Sequence, residues 1–198
     1  FTQVLDISDR KEMELLVRES ENKFRNIAEN VPGLVLKYKL YPDGSDELQY
    51  ISKGVEDLYE IPRQEALENI QLMLDCIHPD DIQAYQASIE DSRRNLSLWE
   101  IEHRIILSNG KQKWIKARGV PVRYDDGSYV WDTLQIEITE RKLAEKALKE
   151  KTEFLDKIIE TAALSTWISD GKGTAIRANP ACLKFFGASE TEVIGKYN

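Results

Sequence analysis

The sequence predicts an α+β domain: a five-stranded antiparallel sheet with small helices on one face, flanked by two long helices of coiled-coil type. Three observations carry this. Five short segments alternate apolar and polar residues and are separated by turn residues. Two long segments instead place apolar residues at steps of three and four. The hexamer Asp6-Ile7-Ser8-Asp9-Arg10-Lys11 recurs as Glu137-Ile138-Thr139-Glu140-Arg141-Lys142, so the chain contains an internal repeat.

The first helix is expected from Ser8 to Asn30. Ser8 suits the N-cap, with Asp9 and Glu12 in the first turn, where the helix dipole favours acids. Met13, Val17, Ser20, Phe24 and Ile27 form its seam, weakened at Ser20. Val31-Pro32-Gly33 ends it. Leu34 to Leu40 alternates as a half-buried strand, Pro42-Asp43-Gly44-Ser45 is a turn, and Leu48 to Ser52 is the partner strand. Short helices follow around Gly54–Tyr59 and Arg63–Asn69, separated by Pro62. A longer helix spans Asp80 to Asn95, with His78 as its N-cap, Pro79 in the first turn, and Ile82, Tyr85 and Ile89 on one buried face.

Three strands close the domain. Trp99 to Leu107 places Trp99, Ile101, His103 and Ile105 on one face and Glu100, Glu102 and Arg104 on the other. Ser108-Asn109-Gly110-Lys111 is a hairpin signal leading into Lys113 to Arg123. Lys111, Lys113, Lys116 and Arg118 alternate with apolar residues there, as on a solvated outer face. Asp125-Asp126-Gly127-Ser128 turns into the last strand, Tyr129 to Ile138. The second long helix runs from Thr139 to about Thr161. Its seam is Ala144, Leu148, Lys151, Leu155, Ile158 and Ala162; a lysine at a core position costs stability but can fix register. A further hairpin, Leu164–Ile168 with Ala175–Ala178, and a helix over Asn179–Gly187 follow.

The chain has 198 residues, 31% charged and 41% hydrophobic, with net charge -8. This is an ordinary globular composition. The acidic balance argues against nucleic acid, whose binding needs a Lys/Arg surplus facing phosphates. No run approaches the roughly 18 apolar residues of a membrane span. Cys76 and Cys182 are far apart, so neither a disulfide framework nor a zinc site is expected, consistent with a reducing compartment. There is no G-x-x-x-x-G-K-[ST], H-E-x-x-H or G-x-S-x-G, so no catalytic site is assigned.

The repeat and its spacing resemble the PAS family, specifically a PAS domain with its C-terminal PAC segment. The resemblance rests on Tyr50-Ile51-Ser52-Lys53-Gly54-Val55-Glu56-Asp57-Leu58-Tyr59, on Ile77-His78-Pro79-Asp80-Asp81, on Trp99 to Arg104, on Trp114-Ile115, and on Asp126-Gly127. The hexamer 137–142 is similar to the family's DIT-E-R-K ending, with Glu137 for Asp. Ile51-Ser52 before Gly54-Val55 corresponds to Ala178-Asn179 before Ala181-Cys182. On this resemblance, residues 1–7 end a preceding unit, 8–30 are a linker helix, and 31–138 are a complete PAS/PAC domain. Residues 139–161 are then a second linker, and 162–198 begin a further unit. The resemblance implies a cytoplasmic, non-catalytic sensor within a multidomain signalling protein, such as a tandem-PAS sensor histidine kinase. The sensor of a diguanylate cyclase or phosphodiesterase, and a ligand-free dimerisation scaffold, are the alternatives.

The ligand, if any, stays unknown from sequence. Leu74-Asp75-Cys76-Ile77 does not match the reactive-cysteine stretch of flavin-binding light sensors, which argues against flavin. Haem needs an axial ligand in a pocket; His78 reads as a cap and His103 as a core or pocket-wall histidine. Strand phase and helix spacing give candidate pocket walls at Leu36, Tyr38, Val55, Tyr59, Tyr85, Ile101 and His103, though the same residues would serve a solid core equally. Candidate relay residues are Glu137, Ile138, Thr139, Glu140 and Arg141. Leu148, Leu155 and Ile158 are the seam of an expected homodimer, with an output domain in the same chain.

Overall fold

The computed structural model describes residues 8–195. The strand end expected over residues 1–7 lies outside them, as does the side chain of Ser8. The described chain forms two compact units that divide between Thr139 and Glu140.

In the first unit, helix α1 (Ser8–Asn30) precedes strands β1 (Leu34–Leu40) and β2 (Asp46–Ile51). Short helices α2 (Gly54–Tyr59), α3 (Arg63–Glu68) and α4 (Gln71–Leu74) follow. A single 3-10 turn, Pro79–Asp81, leads into α5 (Ile82–Asn95). His78 does cap this segment: its Nδ1 accepts from the Asp80 N–H at 3.2 Å. The α-helix begins only at Ile82, because proline and the cap hold the preceding residues in the tighter turn. Strands β3 (Trp99–Ile106), β4 (Gln112–Arg123) and β5 (Tyr129–Glu137) complete a five-stranded antiparallel sheet of order β2-β1-β5-β4-β3.

The pleat sorts residues as the alternation requires, with one correction. Glu100, Lys116 and Arg118 lie on the outer face, where Lys116 pairs with Glu100 at 3.1 Å. Lys113 does not join them. It shares the inner face with Ile115 and Ala117 and is only 4% exposed. Its Nζ donates to the carbonyls of Asp57 and Leu58, at 2.8 and 3.0 Å, near the C-terminal end of α2. It also lies 3.5 Å from Glu137. A cation suits those carbonyls, which have no intrahelical partners and sit at the negative end of the helix dipole.

The edge strand β3 is covered by the segment before the 3-10 turn. His78 N–H donates to Arg104 O, Ile106 N–H donates to Cys76 O, and Asp81 accepts the Arg104 N–H. These bonds satisfy an edge that would otherwise offer a free ladder. The Arg104 guanidinium reaches Asp81 at 2.6 Å and holds its carboxyl below the usual carboxylate range.

The helices α2 to α4 pack on one face of the sheet over Leu34, Leu36, Leu48, Ile51, Ile105 and Ile115. The approach at the start of α2 is close. A Cβ on Gly54 would sit 1.9 Å from the Gly33 carbonyl oxygen, so only glycine fits there. The C-terminal turns of α1 reach the same region, where Ala28 is buried and the Phe24 ring meets Tyr50 edge-on at 5.5 Å. Met13, Val17 and Ile27 are exposed.

Helix α6 (Thr139–Thr161), which belongs to the second unit from Glu140 on, exposes Leu148, Phe154, Leu155 and Ile158. A hairpin of β6 (Trp167–Ser169) and β7 (Ala175–Ala178) leads to α7 (Pro180–Phe186) and α8 (Glu190–Val193). Asn179 is fully buried and ties the unit together. Its Nδ2 donates to the carbonyls of Ile159, Ala162 and Leu164, and its Oδ1 accepts from Thr166 and Cys182. Arg177 pairs with Asp156 and Glu160 of α6. A reciprocal pair of bonds recurs at the aligned positions of the two units. Ser52 N–H donates to Val35 O while Val35 N–H donates to Ser52 Oγ; Asn179 and Thr166 exchange the same two.

Candidate functional site

The register of the sheet builds a floor. One row runs Ile101, Ala117, Gln135, Leu34, and the next runs Trp99, Gly119, Thr133, Leu36. Of these rows, Trp99, Gln135, Thr133 and Leu36 face space that the helices above enclose, whereas Ala117 is wholly buried and packs with Trp99 and Trp131. The result is a cavity of about 430 Å³ between the sheet and α4–α5. Leu36, Tyr38, Trp99, Trp131, Thr133 and Gln135 line it from the strands; Tyr59, Met73, Leu74, Tyr85 and Ile89 line it from the helices. Ile82 is exposed, unlike its expected place on the buried face of α5. With Gln71, Asp75, Pro79 and Gln86, all exposed, it marks the mouth.

Of the seven candidate wall residues, Leu36, Tyr38, Tyr59 and Tyr85 stand on the cavity. Val55 does not: it is wholly buried in the core under α2. Ile101 packs with Trp99, Ala117 and Trp131 and is not on the lining, nor is His103. Residues of β5 complete the wall instead. Trp131, Thr133 and Gln135 alternate on the inner face, a period visible in the sequence, but only the central place of β5 in the sheet puts them over the cavity.

Polar groups on the wall are mostly engaged. Tyr59 Oη donates to Gln135 Oε1 at 2.7 Å, both residues being buried. Tyr38 Oη donates to Asp46 at 2.8 Å. The indole N–H groups of Trp99 and Trp131 donate away to Ser88 and Ser92, at 2.8 and 3.4 Å. Burial pushes the Tyr59, Tyr85 and Tyr38 phenols up, so all three are neutral at ordinary pH.

His103 lies behind Tyr85, their rings 5.0 Å apart in an edge contact. It is 1% exposed, and neither ring nitrogen has a hydrogen-bond partner. Burial pushes its pKa down to about 4, against the opposing charge of Asp81. It is therefore a neutral core histidine. Among the described residues no group of three His, Cys, Asp or Glu side chains is placed to hold a metal.

The junction from β5 to α6 is bonded to β4. Ile138 N–H donates to Trp114 O at 2.8 Å, and the Thr139 hydroxyl accepts the Trp114 N–H at 3.0 Å. The Thr139 hydroxyl, at the first residue of the helix, is thus bonded to β4. Glu137 faces Lys113, and Arg141 pairs along α6 with Glu145 at 2.6 Å. Glu140 is exposed.

This arrangement has known counterparts. Residues 49–132 match the PAS fold family. Residues 163–197 match the PAS domain family. The crystal structure of a sensory box histidine kinase/response regulator from Burkholderia thailandensis superposes with TM-score 0.50 at 23% identity. The match covers 62% of this chain and 91% of that one. The five-stranded antiparallel sheet with its helices is therefore an α+β PAS fold. Two curated relatives are sensors by name. The methyl sulfide methyltransferase-associated sensor of Methanosarcina acetivorans is 23% identical over 166 residues, 81% of this chain and 16% of its own length. Sensor protein FixL of Bradyrhizobium diazoefficiens is 25% identical over 134 residues, 67% of this chain and 26% of its own. The chain thus spans about a sixth to a quarter of these relatives. No helix of the described residues is long and apolar enough to cross a membrane.

Proposed function

We propose that the chain is the sensory and signal-relay part of a longer cytoplasmic signalling protein, with residues 31–138 as a ligand-sensing PAS/PAC domain. The observation that carries this is the cavity of about 430 Å³ between sheet and helices, the size of a small-molecule site. The names of the relatives support a sensor, and a two-component histidine kinase is the output we favour. Ligand binding shifts the balance of two sheet states by its difference in affinity for them. Glu137 to Arg141, bonded to β4 through Ile138 and Thr139, pass that shift to α6. A thermal-shift and native mass spectrometry screen of small metabolites tests the sensing role. A hit that raises the melting temperature is expected; a cavity that stays empty across the screen refutes it.

The exposed apolar stripes of α1 and α6 favour a second component of the same reading, a parallel homodimer through the linker helices. If the domain takes no ligand, this dimer is its function, and the chain is a scaffold.

A further inference from the structure

We infer that the cavity takes an uncharged, largely aromatic ligand that presents a hydrogen-bond acceptor to the Gln135 side-chain amide. The inference rests on the proposal that the cavity is a ligand site, and it specifies the chemistry of that ligand.

Charge comes first. Of the described residues that line the cavity, only Asp75 carries a charge. It stands exposed at the mouth and accepts from Gln71 Nε2 at 2.6 Å. The buried lysine of the sheet, Lys113, is turned to the α2 carbonyls and Glu137 and is not on the lining. An ionised ligand would therefore be buried without a counter-charge, at a cost that binding cannot recover. The net charge of -8 adds to this for anions.

Shape and polarity come next. Five aromatic rings stand on the wall: Tyr38, Tyr59, Tyr85, Trp99 and Trp131. They contact one another in tilted or edge pairs, Tyr38 with Trp131 at 5.9 Å and Tyr85 with Trp99 at 5.6 Å. Edge and offset contacts to a planar guest suit such walls. The indole donors are turned away to serines, so they offer the guest rings rather than N–H groups.

One donor is fixed and free. Tyr59 donates to Gln135 Oε1, which sets the orientation of the amide. Gln135 is only 3% exposed, and its Nε2 has no partner among the described residues although it borders the cavity. Among the described residues the wholly buried polar side-chain atoms without a partner are the two nitrogens of His103, so Gln135 Nε2 keeps access to open space, and an acceptor on the guest would give it a hydrogen bond there.

Three probes of similar shape separate the elements of the inference: 2-acetylnaphthalene, naphthalene and 2-naphthoate, titrated against the whole chain by calorimetry and side-chain amide NMR. The ketone is expected to bind about five- to tenfold more tightly than naphthalene, the worth of one neutral hydrogen bond. The carboxylate is expected to bind more than about tenfold more weakly than the ketone. The ketone, and not naphthalene, shifts the Gln135 Nε2 proton signals. Gln135→Leu reduces ketone affinity to that of naphthalene, while unchanged naphthalene binding reports an intact cavity. Equal binding of the carboxylate, or no loss of ketone affinity in a Q135L protein that still binds naphthalene, overturns the inference alone. If none of the three binds, the inference falls, while the ligand-site proposal is decided by the metabolite screen.

Discussion

Replacing His103 by leucine should stabilise the first unit, and more so in acid. In the native state both ring nitrogens are buried without partners, and burial lowers the pKa to about 4. In the unfolded chain histidine titrates near 6.5. Between these values the unfolded state binds the proton and the native state does not, so native stability falls as pH drops through this window. The charged and titratable groups facing the ring are Asp81, which favours protonation, and Tyr85, which stays neutral. With those two pKa values, the histidine contributes a loss of about 2 kcal/mol between pH 7 and pH 5. Leucine has similar volume and no buried polar atoms. His103→Leu should therefore be neutral to about 1–2 kcal/mol stabilising at pH 7 and about 2 kcal/mol better again at pH 5. Urea unfolding at both pH values, followed through the buried Trp99 and Trp131, measures this. Carboxylates titrate in both proteins, so their share cancels in the difference. Parallel pH dependence of wild type and variant would refute the reasoning, because it would mean that the native histidine protonates as easily as the unfolded one.

Three further outcomes follow from the structure. Gly54→Ala places a Cβ 1.9 Å from the Gly33 carbonyl, so a loss of about 3 kcal/mol or more in denaturant unfolding, or no folding at all, is expected; a variant as stable as wild type would show that α2 can lift away. Lys113→Met leaves the Asp57 and Leu58 carbonyls and Glu137 without their cation. It should cost about 2–4 kcal/mol by the same measurement, and amide exchange should rise along α2. Leu148→Glu or Leu155→Glu, both at exposed positions on α6, should shift the chain toward monomer in sedimentation with no change in melting temperature; a wild type that is already strictly monomeric removes the seam.

Much of this chain is determined locally. Alternation from Trp99 to Ile105 and from Tyr129 to Glu137 sets which side chains share a face, because a strand's side chains have period two whatever it pairs with. His78 and Pro79 set where the segment before α5 turns, since a cap and a fixed φ act within a few residues. Ser52 and Asn179 make the same reciprocal pair of bonds, with Val35 and Thr166. Tertiary structure decided the rest. Lys113 looks like any surface lysine in a strand pattern; it is buried because α2 ends above it and offers carbonyls that a cation satisfies. Thr139 starts a helix, yet its hydroxyl accepts from the strand that β-pairing brings beside it. The cavity is the plainest case. Apolar residues at Leu36, Tyr38, Tyr59 and Tyr85 have the same spacing whether a core is solid or hollow. Only the order β2-β1-β5-β4-β3 puts β5 at the sheet centre, so that Trp131, Thr133 and Gln135 face the space that the helices enclose.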